Sequence, residues 1–291
     1  MLENTHPSAV EYLSKPEVKL NEEEYKAIVK FVYDKLGINL SGDKRTLLTA
    51  RLHKIMREYN LPSFSAYYNM LLKDASGRLV AELADAVSTN HSYMWREAGH
   101  FEYLKKTILP ELKRNLMAKH SNDIRIWSAG CSTGDEAYNI TMMMKEFFGY
   151  EYNNWQAGVL ATDISEKVLR NAIKGIYHNE KVKEMPPDLL KKYFKRVDEL
   201  HYQLSEQIRK EVTFRIFNLM SPIFPFKKKF HAIFCRNVMI YFDEETRLEL
   251  VNKFYDLLEP GGYFFVGHSE TLKKYHGKFD VVEAAVYKKI G

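Results

Sequence analysis

Two acidic residues stand where a nucleotide-binding turn normally leaves room for phosphate. The stretch SAGCSTGDEAYNI, residues 128–140, has the form of a glycine turn feeding a helix, and that helix opens on Asp135 and Glu136. Such a turn aims backbone N–H groups and a helix N-terminus at its ligand, a field suited to pyrophosphate. Carboxylates in the first helical turn complement that field themselves and repel a phosphate. Taken alone, the pair is better read as surface acids that complement the helix dipole. The segment VLATDIS, 159–165, shifts the balance because it closes on Asp163, where nucleoside-binding sheets place an acid to accept hydrogen bonds from ribose hydroxyls. A glycine turn with an acid downstream calls for an adenosyl ligand. NAD suits the acid but not the turn, since GCSTGDE lacks the spaced three-glycine fingerprint that lets a pyrophosphate approach. S-adenosylmethionine offers ribose, adenine, a sulfonium and an amino-acid group without phosphate, and Glu136 is expected to be free for its polar or cationic parts.

The elements that must position these residues fall into two groups. Asn21 to about Val87 reads as successive amphipathic helices. Asn21 is an N-cap with Glu24 three residues on; Tyr25, Ile28, Val29, Val32 and Leu36 form one apolar stripe, and Gly37 ends the helix. Asp43 caps a second helix whose inner face is Leu48, Leu52, Ile55 and Tyr59, while Lys44, Arg45, Arg51, Lys54 and Arg57 make the remainder basic. A third helix follows Ser63, and a fourth carries Leu79, Leu83 and Val87. Beyond the connection STNHSYMWREAGHFEYL, strands alternate with helices: 124–130, 159–165, 212–219 and 231–237, then a helix from Asp243 to Leu258, then a strand opened by EPGGYFFVGH. That alternation predicts a mostly parallel, doubly wound sheet whose ligands bind at the carboxyl ends of its strands.

Other chemistries are disfavoured. The two cysteines, Cys131 and Cys235, are too few and too dispersed for a disulfide framework or a CxxC metal site, which points to a reducing cytoplasm. The histidines show no HExxH or related spacing, so no metal is expected. VGHSET resembles the start of a GxSxG nucleophile elbow, but Thr271 replaces the last glycine and no histidine follows Asp280. The start has no signal pattern, and no stretch is apolar for long enough to cross a bilayer. A net charge of +5 is mild and suits an acidic partner surface as readily as nucleic acid.

The motifs TNHSYMWRE, SAGCSTGDEAY, ATDIS, GIY, MPPDLLKKYF, FNLM, FCRNVMIYFD and LEPGGYFFVGHSETL, in this order along almost the whole chain, resemble the chemotaxis receptor methyltransferases, the CheR family. The resemblance implies an α/β fold: a Rossmann-like S-adenosylmethionine-dependent methyltransferase domain with a small antiparallel β subdomain, preceded by an all-α N-terminal domain. The expected divisions are 1–88 for the helical domain, 89–123 for a connecting segment and helix, and 124–291 for the methyltransferase domain, with 176–214 as the inserted subdomain. Carried over by position, cofactor contacts fall on Asn90, Ser92, Arg96, Glu136, Asp163, Asn218, Leu219, Arg236 and Asn237. The family usually has Thr at Ser92, Phe-Phe at Met94 and Trp95, and Pro at Ala137; the hydroxyl and the apolar bulk are kept, so activity is expected to survive.

The resemblance further implies esterification of glutamate side chains on the cytoplasmic coiled coil of chemoreceptors, with S-adenosylhomocysteine as product. Arg96 and Tyr241 are then the candidates for holding the acceptor carboxylate: a guanidinium fork matches a carboxylate, and a phenol fixes its rotation. Arg51, Lys54 and Arg57 are the expected receptor-binding face. Some members also dock on a C-terminal receptor tether through a glycine-containing loop of the β subdomain. The matching stretch, KRVDELHYQLSEQIRKEVTF from Lys195 to Phe214, has no glycine, so independence of the tether is expected. Two other readings stand beside this one. A nucleic-acid methyltransferase would bind the same cofactor, yet no stacking module is recognisable. A non-catalytic receptor-binding module would have lost the cofactor residues, which are present.

Overall fold

The computed structural model describes residues 18–40, 45–88, 91–272 and 277–290. The expectations for Asp43 and Asn90 lie outside the described residues. Helix α1 (Glu22–Leu36) begins with a reciprocal cap: Glu24 N–H donates to the Asn21 side chain at 2.9 Å, and Asn21 N–H donates back to the Glu24 carboxylate at 3.2 Å. Gly37, in the left-handed region at φ 68°, ends it. Helices α2 (Arg45–Glu58), α3 (Phe64–Lys73) and α4 (Arg78–Val87) follow, and the Ser63 hydroxyl accepts from Ala66 N–H to start α3. On α2, Leu48, Leu52 and Ile55 are buried as their spacing predicts; His53 and Met56 are buried as well, His53 against the Val18 carbonyl at 2.7 Å.

Helix α5 (Gly99–Tyr103), a π-helical turn (Leu104–Ile108) and α6 (Leu109–Ala118) lead into the sheet. Its chain-order elements are β1 (Asp123–Ala129), α7 (Asp135–Phe148), β2 (Gln156–Asp163) and α8 (Glu166–Lys174). An excursion follows through β3 (Ile176–His178), α9 (Asn179–Val182), α10 (Pro187–Tyr193), β4 (Phe194–Arg196), β5 (His201–Leu204) and α11 (Glu206–Arg209). The chain then returns through β6 (Val212–Ile216), β7 (Phe230–Cys235), α12 (Glu244–Leu257), β8 (Leu258–Val266), β9 (Phe279–Glu283) and β10 (Val286–Lys289).

The large sheet has the order β6-β2-β1-β7-β8-β10-β9, parallel from β6 to β8 and antiparallel at β10 and β9. Sequence periodicity identified the parallel strands; β9 and β10 are too short, at four or five residues, to announce themselves. The order reverses between β1 and β7, so a crevice opens at their carboxyl ends. On one face Trp127 is enclosed by Phe217, Phe224, Phe226, Phe230 and Phe254, and this cluster is continuous with the core of α1–α4. The helical layer is thereby seated on the sheet and overhangs the crevice. The other face carries α5–α8 and a three-stranded antiparallel sheet of order β3-β5-β4. The strands of that small sheet lie between residues 176 and 204, and by Val212 the chain has rejoined the central sheet as β6.

The small sheet also grips the turn after β1. Tyr177 Oη donates to the Thr133 carbonyl at 2.7 Å, Lys181 Nζ donates to the Thr133 hydroxyl at 2.7 Å, and the Lys181 carbonyl accepts Met94 N–H at 2.8 Å. Within that turn Gly130 (φ 80°) and Gly134 (φ 82°) need to be glycine twice over: both are left-handed, and a Cβ would fall 2.5 Å from Val238 Cγ2 and 2.9 Å from Ala172 Cβ respectively.

Candidate cofactor and acceptor site

A cavity of about 220 Å³ occupies the crevice at the ends of β1, β2 and β7. Ser92, Arg96, Glu136, Asp163, Asn218, Leu219, Arg236, Asn237 and Tyr241 all line it, so the fold gathers every described residue of the expected set into one chamber. Leu36, Ile38 and Ser88 of the helical layer close one side. Asn218 ties that layer down: its Nδ2 donates to the Lys35 carbonyl at 2.8 Å, and its Oδ1 accepts Met220 N–H at 2.9 Å.

Asp163 sits where β2 ends. Its carboxylate accepts Ser132 N–H at 2.8 Å and Ser165 N–H at 3.0 Å, which fixes both the glycine turn and the start of α8. Burial raises its pKa and nearby Asp85 adds to the rise; the N–H groups of Ser165, Ser132 and Ile164 oppose it. A carboxylate has about four lone-pair sites. The Ser132 and Ser165 amides, with a smaller contribution from Ile164 N–H, do not exhaust them, so the carboxylate keeps capacity to accept further donors.

The acidic pair of the turn divides. Asp135 turns away from the cavity, buried beneath the small sheet, where it accepts the Thr133 hydroxyl at 2.5 Å and lies 3.8 Å from Lys181 Nζ. Glu136 alone faces the cavity, and it is not free as its place in sequence leads one to expect. It accepts the Ser128 hydroxyl at 2.7 Å and Arg236 Nη1 at 3.2 Å. The reason lies across the sheet: Arg236 follows β7 and projects over β1, where no local pattern connects it to residue 136.

Arg236 is bracketed by a second acid that sequence patterns do not single out. Glu97 accepts from its Nε at 3.3 Å and its Nη2 at 3.1 Å, and also takes His268 N–H at 3.3 Å. The guanidinium lies 5.2 Å from the Phe101 ring centroid. Burial works against the charge of Glu97, but Arg236 and the His268 amide outweigh it and hold the carboxyl below its usual range; at Glu136 burial wins and the pKa rises. Trp95, Glu97 and Asn237 all adopt positive φ, at 68°, 55° and 58°. Non-glycine residues accept that conformation where surrounding contacts dictate it. Here Met94 N–H and the Arg236 bracket hold the segment in place.

Arg96 is half-buried at the cavity wall, with Nη1 on the His91 carbonyl at 2.9 Å and its guanidinium 5.9 Å from the Tyr93 ring. Tyr241 stands on the same cavity, and its backbone carbonyl accepts Asn39 N–H at 2.9 Å. Glu270, in the segment that resembles a nucleophile elbow, plays a structural part instead. It is buried and accepts the N–H groups of Gly267, Asn237 and Ile240 at 2.6, 2.8 and 3.1 Å. It therefore shapes the turns after β7 and β8.

No metal motif is visible in the sequence, yet the fold brings one potential ligand atom each from Glu97, His100 and His268 to within 4.8 Å of one another. Arg236 already shares the Glu97 carboxylate. His100 Nε2 donates to the Ala284 carbonyl at 3.1 Å, which leaves Nδ1 facing Glu97 at 3.6 Å. Burial, reinforced by Arg236, pushes the pKa of His100 down to about 4; Ala284 and Glu97 oppose the fall and His268 adds to it. The unfolded chain therefore takes up this proton first as pH falls. The stabilising contribution is full above about 6.5 and is lost toward pH 4, to the extent of about 3 kcal/mol. Urea unfolding near pH 7 and near pH 4 should show that loss in the parent and a clearly smaller one in His100→Gln; equal slopes would contradict the assignment.

S-adenosylmethionine fits these residues. Asp163 offers an acceptor for ribose hydroxyls, Ile38, Ile164, Phe217 and Val238 offer apolar walls, and Arg236, already paired with two carboxylates, offers no cradle for pyrophosphate. Among the described residues no helix is long and apolar enough to cross a membrane.

Comparison with known proteins agrees. The all-alpha domain of CheR methyltransferases matches residues 23–88, and the SAM binding domain of CheR methyltransferases matches residues 90–288. A chemotaxis protein methyltransferase of Borreliella burgdorferi is 41% identical over 272 residues, 94% of this chain and 96% of the relative. One from Escherichia coli K12 is 32% identical over 271 residues, 92% of this chain and 91% of the relative. A probable chemotaxis protein methyltransferase of Rhizobium etli is 35% identical over 248 residues, 83% of this chain and 90% of the relative. A chain that carries both modules in this order, around a nucleoside pocket built without a phosphate cradle, belongs to the CheR family of S-adenosylmethionine-dependent methyltransferases.

Proposed function

We propose that this protein methylates glutamate side chains of bacterial chemoreceptors in the cytoplasm, giving glutamate methyl esters and S-adenosylhomocysteine. The observation that carries the reading is a groove of about 910 Å³ between α2, α4 and α8, which meets the cofactor cavity at Ser88, a residue that lines both. A receptor helix lying in the groove brings a side chain to the cavity mouth. Bound S-adenosylmethionine supplies an electrophilic methyl group on a sulfonium. What the protein itself contributes is positioning. A glutamate with a pKa of about 4.3 is ionised near neutrality, so no general base is needed. Arg96 and Tyr241 hold the acceptor carboxylate in line, and such orientation accounts for much of the acceleration. Arg96 is only half-buried, so it orients the carboxylate without pairing so tightly that the ground state is stabilised equally. In this reading the all-α unit ends near residue 88 and the groove is the joint between the helical and methyltransferase domains.

Lys54 and Arg57 are exposed on α2 and supply the positive face for an acidic coil. Arg51 lines the groove but is a strut: its Nη1 donates to the Ala86 carbonyl at 2.8 Å and the Ser88 carbonyl at 3.2 Å, joining α2 to the end of α4. The double variant Lys54→Glu/Arg57→Glu should therefore lower the rate of receptor methylation about tenfold at low salt, with the gap narrowing as salt rises and cofactor affinity unchanged. Adding Arg51→Glu should also reduce stability. Methylation by the double variant at the parental rate would reduce this face to solvated surface.

Recognition through the methylation region alone, without the receptor tether, is part of the same proposal. The turn between β4 and β5 is closed by Asp198, whose carboxylate accepts Leu200 N–H and His201 N–H at 2.8 Å each, and the Leu200 carbonyl is taken by Asn179 N–H at 2.7 Å. A side-chain-bearing turn bonded to itself has little backbone left to offer a peptide. A labelled C-terminal receptor peptide should titrate with no saturation in the low-micromolar range; saturation there, lost when residues 198–208 are altered, would refute tether independence.

A further inference from the structure

The motif GIY, residues 175–177, and Lys181, four residues beyond its tyrosine, have no part in the chemistry above. Gly175 ends α8, and the chain enters β3 with Tyr177 buried behind the glycine turn. Both side chains close on Thr133. The Tyr177 phenol donates to its carbonyl and Lys181 Nζ to its hydroxyl, at 2.7 Å each. That hydroxyl in turn donates to Asp135 Oδ2 at 2.5 Å. Asp135 is fully buried, its Oδ1 has no hydrogen-bond partner among the described residues, and Lys181 Nζ lies 3.8 Å from that atom. A buried carboxylate needs a counter-charge, and Lys181 supplies it from the small sheet.

None of Thr133, Asp135, Tyr177 and Lys181 lines the cofactor cavity, whereas Gly130, Cys131 and Ser132, the three residues before Thr133, all do. Ser132 joins the two sides. Its N–H is taken by Asp163 at 2.8 Å, and its backbone stands at φ 48°. A non-glycine residue keeps that left-handed conformation where the surrounding structure over-determines it. Asp163 restrains Ser132 from the cavity side, and Tyr177 and Lys181 restrain it from behind through Thr133. The Lys181 carbonyl also accepts Met94 N–H at 2.8 Å, two residues from Arg96. Helix α9 therefore ties the turn beneath the cavity to the segment that carries Arg96.

We propose that Tyr177 and Lys181 are positioning residues for cofactor binding: from outside the cavity they hold the glycine turn in the shape that the cofactor meets. The small sheet then governs cofactor affinity without touching the cofactor. The proposal rests on S-adenosylmethionine occupying the cavity and not on the nature of the methyl acceptor.

Calorimetry with S-adenosylhomocysteine tests this, with urea unfolding on the same preparations. Lys181→Met removes a charge-assisted bond and should lower affinity about tenfold; Tyr177→Phe removes a neutral one and should lower it about fivefold. Lys181→Arg keeps a cation within reach of a single hydroxyl and should stay within about twofold of the parent. With a receptor cytoplasmic fragment as acceptor, KM for S-adenosylmethionine should rise about tenfold in Lys181→Met. Its kcat should change by less than about twofold, because the backbone carbonyl that holds Met94 is kept. If Lys181→Met does not fold with Asp135 unpaired, Lys181→Met/Asp135→Asn removes both charges and gives the same readout. A role in stability alone predicts weaker resistance to urea with parental affinity. Parental affinity in Lys181→Met and Tyr177→Phe would overturn the proposal, and so would a Lys181→Arg variant as weak as Lys181→Met. A parent that binds no S-adenosylhomocysteine would overturn the cofactor reading and this proposal with it.

Discussion

Replacing Asp163 with alanine should lower affinity for S-adenosylhomocysteine by about a hundredfold or more. Hydrogen bonds to a charged acceptor contribute roughly 1.5–3 kcal/mol each, and the ribose has two hydroxyls to place. The carboxylate also accepts Ser132 N–H and Ser165 N–H, so its loss leaves two backbone donors of the site unpaired. The glycine turn and the start of α8 should therefore loosen, with a fall in stability of about 1–3 kcal/mol accompanying the loss of binding. Calorimetry and urea unfolding on the same preparation separate the two effects. Undiminished affinity would mean that the ribose lies elsewhere.

The second large effect is expected at Arg236. It is bracketed by Glu97 and Glu136, with a side chain only 3% exposed. Removing one member of a buried ion set costs about 3–5 kcal/mol, because the partners are left charged and unpaired. Arg236→Ala should therefore be destabilised by about that amount in urea unfolding. Glu136 feels it more, since burial already raises its pKa with Arg236 in place. Arg236→Lys keeps the charge but replaces a planar fork with a point, which cannot serve both carboxylates in the same geometry. An intermediate loss is expected there. A cost below about 1 kcal/mol for the alanine variant would show that the bracket is not held as a unit.

Local signals were legible wherever the physics is local. Asn21 with Glu24, Ser63 and Asp243 each cap the helix their sequence context announces. The parallel strands stand out as short apolar runs, and Asp163 is legible because strand ends in this architecture face the ligand. What stayed hidden depends on partners distant in sequence. Nothing near Glu136 reveals that Arg236 will occupy it, and nothing near Glu97 reveals a bracket across 139 residues of chain. Arg51 looks like another exposed cation at helical spacing until α4 places two carbonyls against it. Glu270 follows a serine that draws the eye toward hydrolases, while its own role appears only when three turn amides converge on it. In each case the residue type is visible and the partner is not.

The most direct test of the central claim is to incubate the protein with methyl-labelled S-adenosylmethionine and a receptor cytoplasmic fragment, then treat the product with mild base. Carboxyl methyl esters hydrolyse under these conditions, whereas methyl groups on nitrogen or on nucleic acid persist. Label that appears on the receptor, leaves as methanol in base, and disappears when the target glutamates are replaced is the predicted result. Label that resists base, or that resides on copurifying nucleic acid with none on the receptor, would contradict the assignment of glutamate as the acceptor.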